Sequence, residues 1–217
     1  MTLSNNRFIT ASLSKLETET YNPISGFETQ PLVSLEEAVQ PIAGLVLDVL
    51  THVKTAMEKC RKNTSLSVNE SAAIYLYTMP ESIYGKLNET LRNENRSDLV
   101  LWFPYLKLFL NAVKKLPPCE AMIWRGVCGV VASGFQQNNI HTWWSINSCS
   151  RYFQLAHQFT CDRGTLFSIK SLYGRDISMY SAETAEGELI LLPGTHLLVK
   201  DTTSDPVGIS TVHLEEW

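Results

Sequence analysis

The hydrophobic pattern of the chain changes once, close to Pro117-Pro118. Before this point apolar residues recur every three to four positions, as between Ile42 and Val53, and such spacing predicts amphipathic helices. After it, short runs rich in Val, Ile, Thr and aromatic residues are separated by Gly, Pro, Asn and Asp, which is typical of antiparallel strands. The pattern therefore predicts an α+β fold in which a helical half packs on a β half.

Two capping boxes predict where helices begin in the first half. Ser34 is followed three positions later by Glu37, and Ser67 by Glu70. In this arrangement the serine and the glutamate each accept a hydrogen bond from the other's backbone amide, which satisfies two donors that the helix leaves without partners. A further helix is expected around Pro104, since proline fits the first turn of a helix.

The chain divides into three parts by composition. Residues 1–30 are polar and predict an irregular tail, residues 31–120 a helical subdomain, and residues 121–217 a β-rich subdomain. Within the β-rich part, one helix is expected over 150–159 and a β-hairpin over 181–200. Because no repeat or linker separates the last two parts, we expect them to fold together as one domain.

The charge balance limits the classes of partner. The chain has 22 acidic and 18 basic residues and a net charge of −4, so no broad cationic surface is available for the phosphates of a nucleic acid. No run approaches the roughly 18 apolar residues that span a bilayer. We expect a monomer that binds a small molecule or a protein, and neither a membrane nor a nucleic acid.

The cysteines and histidines give no sign of a metal site. Five cysteines are an odd number without C-x-x-C spacing, and the five histidines lack metal-ligand spacing. We therefore expect a reduced, cytoplasmic chain that holds no metal. Four N-glycosylation triplets favour a secreted protein instead, if a leader has been removed; they begin at Asn63, Asn69, Asn88 and Asn95.

Single residues suggest chemistry only weakly. In an extended segment Glu186 and Glu188 would place both carboxylates on one side of the sheet, about 6–7 Å apart. An isolated pair of this kind is usually solvated. Arg125 precedes Gly126 at a strand end and could bind a diphosphate with its guanidinium fork. Considered alone, an arginine at such a position more often forms a structural ion pair.

Other enzyme classes fit less well. The sequence has no phosphate loop, no G-x-G-x-x-G motif and no G-x-S-x-G elbow. Cys149 could act as a nucleophile with His141 or His157, but a buried structural thiol is the commoner case.

Taken in order, three of these segments resemble a known family. "IWRGV" with Arg125, "NSCS" with Ser148 and "EGELILLPGTHLLV" with Glu188 resemble the arginine, serine and E-x-E regions of the arginine-specific mono-ADP-ribosyltransferases. This group is related to vertebrate ecto-enzymes and cholera-toxin-like toxins. The likeness covers roughly residues 65–200 and includes the helical "AAIYLYT" segment. It implies a helical subdomain against two perpendicular, mostly antiparallel sheets, with NAD in the cleft between them.

The resemblance also implies a reaction and the residues that perform it. ADP-ribose would pass from NAD to an arginine side chain of an acceptor protein, with release of nicotinamide and without a metal. Glu188 would stabilise the oxocarbenium-like ribose, and Glu186 would orient or deprotonate the acceptor guanidinium. By the same resemblance Arg125 would bind the diphosphate and ribose, the Gly126 backbone would bond the nicotinamide amide, and Ser148 would hold Glu188 in place.

Two further features are implied and one departs from the pattern. Phe159 would stack on nicotinamide, and residues 181–187 would form the loop that recognises the acceptor. Cys149 stands where the family has the threonine of its Ser-Thr-Ser motif. Two alternatives remain open: an NAD glycohydrolase that uses the same site, and a catalytically silent protein that keeps the fold.

Overall fold

The computed structural model describes residues 24–217 except 63, 94–95, 162–163 and 207. Most of the tail predicted over 1–30 therefore lies outside the described residues, as do Asn63 and Asn95 of the glycosylation triplets. The helices are α1 (Leu35–Val39), α2 (Val49–Lys59), α3 (Val68–Thr78), α4 (Tyr84–Arg92), α5 (Phe103–Lys115) and α6 (Phe153–His157). The strands are β1 (Ala121–Val127), β2 (Ile140–Trp143), β3 (Asn147–Ser150), β4 (Thr165–Ser171), β5 (Arg175–Asp176), β6 (Glu188–Leu191), β7 (Thr195–Ser204) and β8 (Ser210–Glu216).

Both predicted capping boxes are confirmed. At α1, Ser34 Oγ accepts a hydrogen bond from Glu37 N at 3.2 Å, and the Glu37 carboxylate accepts one from Ser34 N at 3.0 Å. The same exchange at α3 joins Ser67 and Glu70, at 3.3 and 2.9 Å. Pro104 lies in the first turn of α5, as its residue type predicts. No helix in the described ranges is long and apolar enough to cross a membrane.

The eight strands form one sheet in the order β2-β7-β8-β4-β1-β3-β6-β5. All neighbours are antiparallel except β4 and β8, and β8 lies in the interior of the sheet. The β1 and β3 strands pair only where Trp124 faces Ser150, so a five-stranded part and a three-stranded part meet at one bridge. The α+β class with a mostly antiparallel sheet is thus confirmed, and the two expected sheets are joined at this bridge.

The predicted hairpin over 181–200 is wrong. The β6 strand pairs with β3 and β5, whereas β7 pairs with β2 and β8. Between them the chain turns at Pro193-Gly194, where Gly194 adopts φ 89° and donates its N–H to the Trp143 carbonyl at 2.7 Å. This turn carries the chain from the three-stranded part to the five-stranded part.

The helix predicted over 150–159 is shorter than expected. Ser150 still belongs to β3, and Tyr152 is extended (φ −105°, ψ 110°), so α6 begins only at Phe153. The last residue of β3 and the two residues before α6 form a connector, defined here as Ser150–Tyr152, which lies beside the candidate site.

The three-stranded part separates two hydrophobic cores. Ser148 faces Ile190 and Ser150 faces Glu188 across the β3–β6 ladder, so these four side chains share one face of the sheet. Ile190 packs in the core that the helices form, whereas Cys149 and the neighbouring leucines of β6 pack in the core on the opposite face. The helical half therefore covers the face that carries Ser148 and Glu188.

One pair of cysteines contradicts the expectation of a fully reduced chain. Cys128, directly after β1, forms a disulfide with Cys161, and their Cα atoms lie 5.2 Å apart. The other three cysteines are free thiols.

Candidate functional site

Arg125 connects the two parts of the sheet. Its side chain is only 4% exposed, and Nη1 donates a hydrogen bond to the Ser148 carbonyl oxygen at 2.6 Å. A charged donor strengthens such a bond relative to a neutral one. The bond joins β1 to β3 where the strands themselves share a single bridge. The side chain of the candidate arginine therefore lies against the backbone of the candidate serine.

The Ser148 side chain lies in a buried hydroxyl network. Its Oγ is 3.4 Å from the Tyr77 hydroxyl, which donates to the Ile146 carbonyl at 3.2 Å. Asn88 completes the network, because its Nδ2 donates to the Tyr77 oxygen at 3.2 Å and its Oδ1 accepts from Ile146 N at 3.0 Å. Through this network α3 and α4 fix the strand that carries Ser148.

The Tyr77 hydroxyl stays protonated over the physiological pH range. Its pKa is raised to about 12: burial is the main cause, the hydrogen bond with Ser148 opposes it, and the Glu188 charge adds to it. A neutral phenol can donate one hydrogen bond and accept others. With its proton directed to Ile146, the Tyr77 oxygen is placed to accept from the Ser148 hydroxyl.

Glu188 opens β6 and is fully buried. Its Oε2 accepts a hydrogen bond from Ser181 Oγ at 3.3 Å. The Ser148 hydroxyl lies 3.4 Å from the Tyr77 hydroxyl, and the expectation that Ser148 holds Glu188 in place stays a prediction. A buried carboxylate requires such partners, because removal of its hydration is costly.

The Arg125 and Glu188 charges act on the same neighbours. The pKa of the Cys149 thiol is raised to about 12 by burial; the positive charge of Arg125 opposes this shift and the negative charge of Glu188 adds to it. Arg125 and Glu188 influence Tyr77 with the same signs. The two opposite charges thus both act on the buried Tyr77 and Cys149 side chains. Cys149 is protonated and fully buried there, which favours the structural thiol over the nucleophile.

The geometry predicted for the E-x-E segment is wrong. Glu186 ends a 3₁₀ turn, Thr184–Glu186, and Gly187 adopts the left-handed conformation with φ 55°. Because the segment is not extended, the alternation of side chains along a strand does not apply. The conformation of Gly187 suits glycine, which lacks the Cβ that penalises positive φ. Glu186 and Glu188 are therefore separated by a turn rather than aligned on one strand.

The E-x-E segment is bonded to the Ser150–Tyr152 connector. Ser150 Oγ donates to the Glu186 carbonyl at 2.7 Å, and Arg151 N donates to the Gly187 carbonyl at 3.1 Å. Arg151 is itself fixed by Asp176, to which Nη2 donates at 3.0 Å. These bonds position the backbone of the candidate acceptor-facing glutamate.

Gly126 and Phe159 lie side by side. A Cβ on Gly126 would come within 1.9 Å of the Ala156 carbonyl oxygen and 3.2 Å of Phe159 Cβ. The glycine is thus required for the close approach of β1 to α6, a packing reason that the sequence did not suggest. Phe159 is 5% exposed, and its stacking on nicotinamide stays a prediction.

A family model described as NAD:arginine ADP-ribosyltransferase matches residues 39–216. The chain belongs to this family. The match covers α2 to α6 and all eight strands but only the last residue of α1, and it includes every candidate residue. No curated protein sequence matches the chain.

Solved structures with the ADP-ribosyltransferase fold superpose on most of the chain. The type III effector XopAI from Xanthomonas axonopodis pv. citri has a TM-score of 0.65 and 15% identity over 88% of this chain and 90% of its own. ADP-ribosyltransferase Vis from Vibrio splendidus, in complex with agmatine, has a TM-score of 0.61 and 18% identity over 88% of this chain and 89% of its own. Exoenzyme S from Pseudomonas aeruginosa, bound to human 14-3-3 protein beta and Carba-NAD, has a TM-score of 0.59 and 21% identity over 84% of this chain and 86% of its own.

Sequence reasoning missed three residues of the site in this ADP-ribosyltransferase. Tyr77 and Asn88 orient β3, and Ser181 bonds the Glu188 carboxylate. Tyr77 lies within the "AAIYLYT" segment that carries part of the resemblance, but an aromatic residue on an apolar helix is usually a core residue. Ser181 had no signal beyond its place in the predicted acceptor loop.

Proposed function

We propose that the protein transfers ADP-ribose from NAD to arginine side chains of proteins and releases nicotinamide. The observation that carries the proposal is the meeting of Arg125, Ser148 and Glu188, which come from three strands and lie buried under the helical half. Membership of a family described as NAD:arginine ADP-ribosyltransferase supports both the donor and the acceptor. The Carba-NAD bound to Exoenzyme S supports the donor further.

The reaction breaks the bond between C1′ of the ribose and the nicotinamide nitrogen, and nicotinamide leaves with the bonding electron pair. Positive charge then develops on the ribose, and the Glu188 carboxylate stabilises it from a fixed position in a site of low dielectric. Arg125 binds the diphosphate, because a guanidinium fork can donate two parallel bonds to phosphate oxygens. Ser148 and the Tyr77 network keep the strand beside Glu188 in place.

The acceptor guanidinium then attacks C1′. Its nitrogen forms the new bond to carbon and gives up a proton, which we assign to the Glu186 carboxylate. Arginine is almost fully protonated at neutral pH, so it is a poor nucleophile until an anion polarises it or removes a proton. The agmatine bound to Vis is itself a guanidine, which supports this class of acceptor.

Incubation with NAD labelled in its ADP-ribose part tests the proposal. With an arginine-rich protein or agmatine present, we expect label on the acceptor and an equal amount of free nicotinamide. Free ADP-ribose without labelled acceptor would identify a glycohydrolase. Absence of nicotinamide release in spite of NAD binding would identify a silent protein.

The two glutamates should be separable by amide substitution. We expect Glu186→Gln to lower transfer by about 10²–10⁴-fold while some NAD hydrolysis remains, because it removes the proton acceptor alone. Glu188→Gln should lower both reactions by about 10²–10³-fold, because both pass through the same charged ribose.

Glu58→Gln is the control, since Glu58 is an exposed carboxylate on α2, outside the loop expected to recognise the acceptor. Its rates should equal those of the unaltered protein. Equal losses of transfer and hydrolysis in Glu186→Gln would show that Glu186 does not act on the acceptor.

A further inference from the structure

Tyr152 lies against the glycine between the two candidate glutamates. A Cβ on Gly187 would come within 2.7 Å of Tyr152 Cε2 and 3.2 Å of its Cζ. The side chain is nevertheless 53% exposed. One edge of the ring therefore touches the backbone that joins Glu186 to Glu188, and the remainder of the ring faces solvent.

A single buried hydroxyl joins the backbone of Tyr152 to that of Glu186. Ser150 Oγ donates to the Glu186 carbonyl at 2.7 Å and accepts a hydrogen bond from Tyr152 N at 2.9 Å. The adjacent bond from Arg151 N to the Gly187 carbonyl, at 3.1 Å, holds the two segments side by side. The residue that carries the exposed ring and the residue that carries the candidate acceptor-facing carboxylate are thus held next to each other by bonds to their backbones.

We propose that the Tyr152 ring binds the acceptor guanidinium by stacking beside Glu186. This inference rests on the proposed transfer to arginine. A guanidinium is planar and weakly hydrated, so it stacks on aromatic faces more readily than an ammonium ion does. The ring face attracts the guanidinium cation but does not take a proton from it. The Glu186 carboxylate polarises the guanidinium. Together they select a planar cation.

The test varies the agmatine concentration at saturating NAD. For Tyr152→Ala we expect the KM for agmatine to rise about two- to fivefold, the range for an exposed cation–π contact. We expect the kcat and the KM for NAD to stay the same, because the proposed stacking involves the acceptor and not NAD. Tyr152→Phe and Tyr152→Trp should restore the KM for agmatine, because both keep an aromatic face.

Tyr173→Ala is the matched control, because Tyr173 is 60% exposed and precedes β5 on the side of that strand opposite to Glu188. Its KM for agmatine should not change. If the unaltered protein labels agmatine but Tyr152→Ala has the same KM for it, the role of Tyr152 is refuted while the proposed function stands. A parallel rise in the KM for NAD would also refute it, because it would indicate a general disturbance of the site. If the unaltered protein labels no guanidine acceptor, the proposed function fails and this inference fails with it.

Discussion

Substitution of Tyr77 by phenylalanine should separate the role of the buried hydroxyl network from the packing of the ring. The variant keeps the aromatic contacts of a fully buried side chain but removes the hydroxyl that bonds Ile146 and Ser148. It also leaves Asn88 Nδ2 without the oxygen to which it donates at 3.2 Å. A buried donor without a partner costs about 1–3 kcal/mol. For a chain of 217 residues this corresponds to a fall in Tm of roughly 2–12 °C.

The network also predicts a loss of activity. Without the Tyr77 oxygen the Ser148 hydroxyl loses its partner at 3.4 Å, and β3 loses one tie to α3. Loss of one neutral hydrogen bond from the support of the site corresponds to about a two- to tenfold fall in kcat/KM for NAD. Urea denaturation measures the stability, and the initial rate of nicotinamide release measures the activity.

Tyr105→Phe is the control for this experiment. Tyr105 is equally buried, and its hydroxyl donates to the Ala73 carbonyl at 2.8 Å within the helical half. We expect this variant to lose about 0.5–1.5 kcal/mol of stability and to keep its activity. If Tyr77→Phe keeps the activity of the unaltered protein, or if both variants lose stability and activity equally, the network does not support Ser148 as argued.

Two further changes test packing and covalent structure. Gly126→Ala would place a Cβ 1.9 Å from the Ala156 carbonyl oxygen, so α6 must shift. We expect the free energy of unfolding, measured by urea denaturation, to fall by about 1–3 kcal/mol. Unchanged stability would contradict the close approach of β1 to α6. Reduction of the disulfide between Cys128 and Cys161, which are 33 residues apart, should lower the free energy of unfolding by about 3–4 kcal/mol. A Tm that is the same with and without reductant would show that the bond is absent, and the double serine variant should be insensitive to reductant.

The helices could be predicted from the sequence because their signals are local. Ser34 and Ser67 each stand three residues before a glutamate, and both boxes form as expected. The change to strands near residue 120 is also local, because strand residues alternate and turn residues separate them. The resemblance then placed Arg125, Ser148 and Glu188 in one site, and the structure brings their strands together.

The errors arose where the structure depends on contacts between distant residues. The β6 and β7 strands are adjacent in sequence, but they do not pair with each other, because β6 belongs to the three-stranded part of the sheet and β7 to the five-stranded part. The E-x-E segment has a polar alternation that suits a strand, yet Gly187 turns the chain there because it has no Cβ. Ser181 could not be found from the sequence, since only the fold shows that its hydroxyl meets a buried carboxylate.

The interior position of β8 has a consequence for how the protein folds during synthesis. Residues 210–215 pair in parallel with residues 165–170, and Glu216 accepts hydrogen bonds from Leu172 N and Tyr173 N at 2.7 and 2.8 Å. The centre of the sheet therefore stays incomplete until residue 216 has left the ribosome. Until then β4 and β7 expose unpaired edges that invite aggregation. The residues that contact each other in the helical half are separated by fewer positions in the sequence, so this half can fold before β8 completes the sheet.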